Sequence, residues 1–289
     1  MSNELRLKIA DIIFSILPTG TIKKFSVENT HGLFKTDEEP DVVLKAIRKT
    51  SPCVRPEKLE FDASTWDYFQ ADGRHIFNFS YSSKNKQPGR SLVLKPDFTR
   101  GEIILPELTR TENGVSRNPF SFPLDQLLTI TLLHQKQGLL IHSCGFTYRN
   151  NGYLSIGSSG AGKSTLARIL SKNKRIHVLN DEKIAARKRH GRFYIYGTPW
   201  HGTGGFVSPE KAPLKGLFFL KKDTKNHLQN LSVSDTVSRL IKCSFPPFWN
   251  REGMASTLKI CEDIAIAIPC FEFSFTPDNS AFELIKEKM

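Results

Sequence analysis

Along residues 5 to 118 the apolar positions recur at every second residue, or in short β-branched runs bounded by turn residues, which is the pattern of strands rather than helices. Leu5 to Leu17 is one such stretch and ends at Pro18-Thr-Gly20, a turn signal. Val42 to Ile47 gives a short strand after Glu39-Pro40. Asp67 to Gln70 and His75 to Tyr81 flank Ala71-Asp-Gly73 and read as a hairpin, with Asp72-Gly73 supplying the left-handed residue. Ser91 to Lys95 and Glu102 to Leu105, separated by Pro96 to Gly101, read as a second. The pattern predicts a small antiparallel β domain over residues 1–118, without a motif that carries chemistry.

The polar stretch Thr109 to Pro119, with Asn113-Gly114 inside it, marks the expected boundary. A helix follows: Pro123 and Asp125 suit its first turn, Leu124, Leu127, Leu128 and Leu132 share a face, and Gly138 ends it. Leu139 to Tyr148 is a strand that Arg149-Asn-Asn-Gly152 turns back into Tyr153 to Ile156. Then come a helix over Lys163 to Lys172, a strand over Ile176 to Leu179, a hairpin of Lys183 to Lys188 with Phe193 to Tyr196, and a buried strand at Leu217 to Leu220. Val233, Val237, Leu240 and Ile241 mark one further helix, and Leu258, Cys261, Ala265 and Ile268 another. Phe271, Phe273 and Phe275 alternate with Glu272 and Ser274 as a half-buried strand, before a last helix over Ser280 to Lys288. The fold class is α+β: a β-rich N-terminal domain, then a domain over 119–289 with a mixed sheet and flanking helices.

Composition narrows this little. The 289 residues are 39% hydrophobic and 24% charged, with 21 Phe, enough for two ordinary cores and against disorder. Apolar runs such as Leu214 to Leu220 are too short to cross a bilayer and the N-terminus lacks a signal-peptide pattern, so no membrane partner and a cytoplasmic location are expected. Five cysteines, odd in number and never spaced as CxxC, point to buried thiols rather than disulfides or zinc. A net charge of +12 suits nucleic acid, or equally an enzyme that holds ATP and an acidic substrate. The basic set from Lys172 to Arg192 lacks the interleaved aromatics of single-strand binders, which disfavours nucleic acid.

Gly157, Ser158, Ser159, Gly160, Ala161, Gly162, Lys163, Ser164 and Thr165 fit G-x-x-x-x-G-K-[ST], preceded by a strand and followed by a helical stripe. In a phosphate-binding loop of this kind the glycines let successive N–H groups point at a triphosphate, the lysine reaches the β and γ phosphates, and the hydroxyl of Ser164 ligates Mg²⁺. ATP and Mg²⁺ are therefore the expected cofactors. Asp181 and Glu182 end the next short strand, where such enzymes carry metal ligands; one can serve the metal shell while the other faces an acceptor. His142, on the strand antiparallel to the one feeding the loop, can approach the γ phosphate, and so can Ser143 beside it. The glycine-rich run 197–205, with His201, suits close approach of backbone to a ligand.

Taken together, Ile141-His-Ser143, the hairpin, the loop and Asp181-Glu182 resemble the kinase domain of HPr kinase/phosphorylase, related to phosphoenolpyruvate carboxykinases, over roughly residues 123 to 285. Gly197 to Trp200, Phe218 to Leu220 and Phe245 to Trp249 look like the Gly-Thr-Pro-Trp, Phe-Phe-Leu and Phe-Pro-Pro-Phe-Trp of bacterial HPr-kinase-related proteins. The resemblance implies a P-loop domain of that type in which Lys163 and Ser164 bind phosphate and Mg²⁺. It further implies that Asp181 takes the acceptor proton, Glu182 joins the metal shell and His142 lies by the transferring phosphate. The family more often has two aspartates where this chain has Asp181-Glu182. The implied activity is transfer of the γ-phosphoryl group to a serine or other hydroxyl on a protein, peptide or small molecule. Two rivals stay open: a natural-product or small-molecule kinase on the same scaffold, and an ATP-binding sensor or assembly protein that transfers nothing. The N-terminal region does not resemble that of true HPr kinases. Those are hexamers; nothing in this sequence carries the hexamer over, and a homo-oligomer is left open.

Overall fold

The computed structural model describes residues 3–50, 59–80, 88–107, 114–278 and 280–289. Cys53, Tyr81 and residues 109–113 of the expected linker lie outside them. Two compact units divide the chain, Met1–Thr129 and Ile130–Met289.

The first unit carries β1 (Leu5–Ile9), β2 (Ile12–Pro18), β3 (Lys24–Ser26), α1 (Asn29–Gly32), β4 (Val42–Lys49), β5 (Phe61–Asp62), β6 (Trp66–Ala71), β7 (Arg74–Ser80), β8 (Pro88–Leu94), β9 (Arg100–Pro106), β10 (Val115–Arg117) and the start of α2 (Leu124–Gln135). Eight strands form one sheet in the order β1-β2-β4-β9-β8-β7-β6-β5. The two expected hairpins are there, β6–β7 around Asp72-Gly73 and β8–β9. The expectation of an all-antiparallel domain is corrected in the middle of the sheet, where β4 runs parallel to both β2 and β9. Alternation of apolar residues is the same in parallel and antiparallel strands, so it carries no direction when neighbours are far apart in sequence. Leu5 to Leu17 is also two strands, turned at Ala10 and Asp11, whose φ of 52° and 54° are left-handed without a glycine to announce them. Within the stretch read as linker, β10 pairs in parallel with β3.

The second unit continues with β11 (Gly138–Tyr148), β12 (Asn151–Ile156), α3 (Lys163–Ser171), β13 (Ile176–Asn180), β14 (Lys183–Arg189), β15 (Arg192–Tyr196), β16 (Lys211–Lys222), β17 (His227–Asn230), α4 (Val233–Lys242), α5 (Arg251–Ala267), β18 (Cys270–Phe275) and α6 (Ser280–Lys286). Strand β11 is antiparallel to β12, β13 and β14, β14 to β15, and β15 to β16, while β16 returns parallel to β12. Five strands thus close on one another, and β16 passes the sheet on to β18 and β17. The mixed sheet and helices make the class α+β.

Packing follows the alternation along the central strands. Leu217 and Phe219 point to a core shared with Leu154, Ile141 and Ile184 and with Leu240 of α4 and Ile260 and Ile264 of α5. Phe218 between them points the other way, to Phe146, Phe273, Leu166 and Leu170 of α3 and Phe282 of α6. Each such side chain contributes about 1.5–3 kcal/mol by leaving water, so the two cores hold the sheet from both faces. The strand β18, read as half-buried, is covered on its second face too: Ser274 is buried, and Glu272 accepts from Arg239 Nη2 at 2.7 Å. Edge strand β17, His-Leu-Gln-Asn, has no apolar alternation to announce it. Among the described residues no helix is long and apolar enough to cross a membrane.

Candidate active site

The loop Gly157–Thr165 leaves β12 at Ile156, whose register partners are Ser143 of β11 and Phe219 of β16. It therefore rises from a strand paired on both sides. The loop enters α3 at Gly162, which sits at φ 104° and caps the helix with no side-chain hydrogen bond; a Cβ there would also stand 2.7 Å from the ring of Phe275. No acidic residue occupies the first turn of α3, and the carboxylate that meets this end of the helix comes from elsewhere in the chain.

Lys163 is buried, and its ammonium donates to the carbonyl oxygens of Gly157 at 2.7 Å and Ser158 at 3.1 Å. Burial lowers its pKa below the usual lysine value, and the negative charge of Glu182 works against that shift. Ser164 Oγ donates to Asp181 Oδ2 at 3.1 Å. Asp181, 1% exposed, also accepts the backbone N–H of Gly202 on Oδ1 at 3.1 Å and that of Gly204 on Oδ2 at 2.7 Å. The glycine-rich run thus makes its close approach to the carboxylate: a Cβ on Gly204 would lie 2.5 Å from Asp181 Oδ2. His201, exposed, donates from Nδ1 to the carbonyl of Gly202 at 2.8 Å and is not brought onto the acidic pair.

Glu182 and His142 face each other from the other side. The His142 Nδ1–H donates to the Glu182 carbonyl at 3.1 Å, and Glu182 Oε1 stands 3.7 Å from the same nitrogen and 3.4 Å from Lys183 Nζ. That bond fixes the tautomer and leaves a lone pair on Nε2. Burial first, and the Lys163 charge second, push the His142 pKa below its ordinary value, so the ring is neutral at pH 7. Its backbone is pinned as well, His142 N donating to the Cys243 carbonyl at 2.6 Å and Phe245 N to Leu140 O at 2.9 Å. Ser143, next on β11 and wholly buried, donates its N–H to the same Glu182 carbonyl at 3.1 Å and its hydroxyl to Ile141 O at 3.3 Å.

Sequence reasoning missed Asn180. This wholly buried side chain accepts the N–H groups of Glu182 and Lys183 on Oδ1 at 2.7 and 2.9 Å, and donates from Nδ2 to the carbonyls of Thr198 at 2.9 Å and Trp200 at 3.2 Å. It ties the acidic turn to the start of the glycine-rich run. An Asn that ends a strand and is followed by two acids is an Asx-turn signal, the only trace of this role in the sequence. Also unforeseen is a cavity of about 540 Å³ at the loop's first residues, Gly157 to Ser159, walled by His142, Phe219, Phe245, Arg239 and Lys242.

The cysteines behave as expected of buried thiols where described: Cys144, Cys261 and Cys270 are buried and Cys243 partly so, all unbridged. Burial pushes Cys261 up to about 12 and Cys270 up to about 11. Within the basic set, Arg187 is buried and Lys188 pairs with Asp263 at 3.0 Å, roles in the fold rather than in a steering surface. No group of three His, Cys, Asp or Glu side chains gathers as a metal site among the described residues. Mg²⁺ bound through one or two carboxylates and the phosphates of a nucleotide needs no such group, and Ser164 beside the Asp181-Glu182 turn is a donor set of that kind.

No protein-family model matches this chain, and no curated protein matches it in sequence. Among solved structures, the HPr(Ser) kinase/phosphatase from Coxiella burnetii is similar at 12% identity, over 51% of this chain and 86% of that one, with a TM-score of 0.30. At that score the likeness carries no argument, and the reading of the site rests on its own geometry.

Proposed function

We propose that the second unit is an ATP- and Mg²⁺-dependent phosphotransferase acting on a hydroxyl acceptor. The observation that carries this reading is the contact of Ser164 with Asp181 beneath the uncapped start of α3, with Lys163 held beside it. Helix amides and the Lys163 ammonium would cradle the β and γ phosphates. Ser164 and Glu182 would hold Mg²⁺, leaving Asp181 for the acceptor; the bound ion would supply positive charge beside the phosphates.

In the reaction, the acceptor oxygen bonds to the γ phosphorus as the bond from that phosphorus to the β–γ bridging oxygen breaks, and ADP leaves with the electron pair. The hydroxyl proton passes to a carboxylate. Asp181 Oδ1, which accepts one backbone N–H where Oδ2 accepts two donors, is the atom proposed to take it. His142, neutral and fixed by Glu182, would orient the reacting group through Nε2.

The test is transfer from γ-labelled ATP with Mg²⁺ to lysate peptides and metabolites, with nucleotide binding followed in parallel. Label on an acceptor that requires Lys163 and falls with Asp181→Asn supports the reading. Tight ATP binding with no labelled product beyond that of the variants would make the protein a nucleotide sensor instead.

A further inference from the structure

The cavity beside the loop is placed and charged for a particular kind of acceptor. Its loop wall is Gly157, Ser158 and Ser159, and the carbonyls of the first two hold the Lys163 ammonium at 2.7 and 3.1 Å. The lysine of such a loop reaches the β and γ phosphates, so the cavity opens at the end of the site where the transferred group would sit. His142 lines the same space, with Nδ1 already committed to Glu182 and only Nε2 left for an occupant. Apolar walls come from Ile156, Phe219, Leu220 and Phe245, while α4 contributes two cations one turn apart, Arg239 and Lys242; among the described residues no carboxylate lines the cavity.

The two cations differ. Arg239 is bonded to Glu272 at 2.7 Å, which holds its guanidinium in place and balances much of its charge. Lys242 is exposed and has no acidic partner among the described residues. Its positive charge and that of Lys163 both act on the Cys243 thiol in the cavity wall. A volume near 540 Å³ matches a small molecule rather than a folded protein surface. Lys242 is solvated and needs no partner, but a free cation at the rim of a partly apolar cavity favours an anionic occupant, and an adenine ring has no negative charge to offer it.

Resting on the phosphotransferase reading, we propose that this cavity seats the acceptor, and that the acceptor is a small hydroxyl-bearing molecule with an anionic group that Lys242 recognises. Phosphate and carboxylate share this chemistry. The hydroxyl leaves the cavity at its His142 end, toward the acidic turn whose Glu182 carbonyl is bonded to that ring, and the anionic end lies toward α4.

Calorimetry on the full chain tests this without knowledge of the natural acceptor. The protein is saturated with Mg²⁺ and a non-hydrolysable ATP analogue, which fills the loop, and is then titrated with inorganic phosphate and, separately, with acetate. At least one anion should bind with a Kd on the order of millimolar, and the one that binds distinguishes a phosphate seat from a carboxylate seat. Lys242→Ala should weaken that anion about tenfold or more and Lys242→Arg should restore it, with analogue affinity unchanged. Because Lys242 is exposed at the end of α4, these variants keep the fold. Binding of neither anion, equal binding by Lys242→Ala, or an equal loss of analogue affinity would each overturn the proposal, the last by giving the cavity to the nucleotide. Failure of wild type to bind the analogue at all is a different result: it removes the phosphotransferase reading itself, and the acceptor seat with it.

Discussion

Ser164 and Asp181, seventeen positions apart in sequence, meet at 3.1 Å, hydroxyl to carboxylate, and this one contact joins the helix that follows the glycine loop to the acidic turn that follows β13. Asp181→Asn tests it in two ways. One accepting oxygen becomes an NH₂ group that must face an N–H of Gly202 or Gly204, so a variant with unchanged shape should lose about 1–3 kcal/mol of stability. Transfer from labelled ATP should fall about 10²–10⁴-fold, the range for loss of a general base. Urea denaturation reads the first effect and the labelling assay the second. Unchanged transfer would remove Asp181 from the chemistry.

Gly204→Ala should act through the same carboxylate. The added carbon would sit 2.5 Å from Asp181 Oδ2, so loop and acid must part, at about 1–3 kcal/mol. Gly205→Ala meets no atom within 4 Å and costs only the strain of φ 72°, about 1 kcal/mol. Mg²⁺-dependent nucleotide affinity should therefore drop in the first variant and hold in the second. Equal affinities would show that the 202–204 backbone does not position Asp181.

Asn180→Asp keeps the shape of the side chain and reverses one of its hydrogen-bonding ends. An oxygen would replace Nδ2 against the carbonyls of Thr198 and Trp200, in a wholly buried position. A loss of about 2–3 kcal/mol is expected, larger than for any exposed Asn in the chain. Thermal unfolding with a change below about 0.5 kcal/mol would contradict the role given to this residue.

Acid should weaken the fold before the carboxylates begin to titrate. His75, His134 and His142 all have pKa values lowered first by burial. Between those lowered values and 6.5 the unfolded chain binds protons that the folded chain refuses, so unfolding free energy falls as pH drops below 6.5 and is flat above it. Denaturation at pH 7.5 and 5.5 should show the loss; greater stability at 5.5 would contradict it. Lys163→Met should raise the His142 pKa in an NMR titration, because it removes the second cause of the shift.

Much of the site is legible in the sequence because its parts are local. The loop, its strand and its helix lie within about twenty residues, and Asp72-Gly73 or Arg149-Asn-Asn-Gly152 announce their turns by residue type. What stays hidden depends on pairs far apart in the chain. The parallel entry of β4 between β2 and β9, and the cavity assembled from β11, β12, β16 and α4, leave no periodic trace. Gly204 illustrates the difference: the sequence marks it as a place of close backbone approach, and only the fold identifies Asp181 as what is approached.

Lys163 already spends two of its three N–H bonds on the carbonyls of the loop that carries it. A phosphate that recruits more than the third N–H must displace Gly157 or Ser158, which act as competitors present at fixed, high effective concentration. The same competitors take the lysine back when a product loosens. If the loop holds a nucleotide as proposed, this competition would loosen its hold and favour exchange over storage.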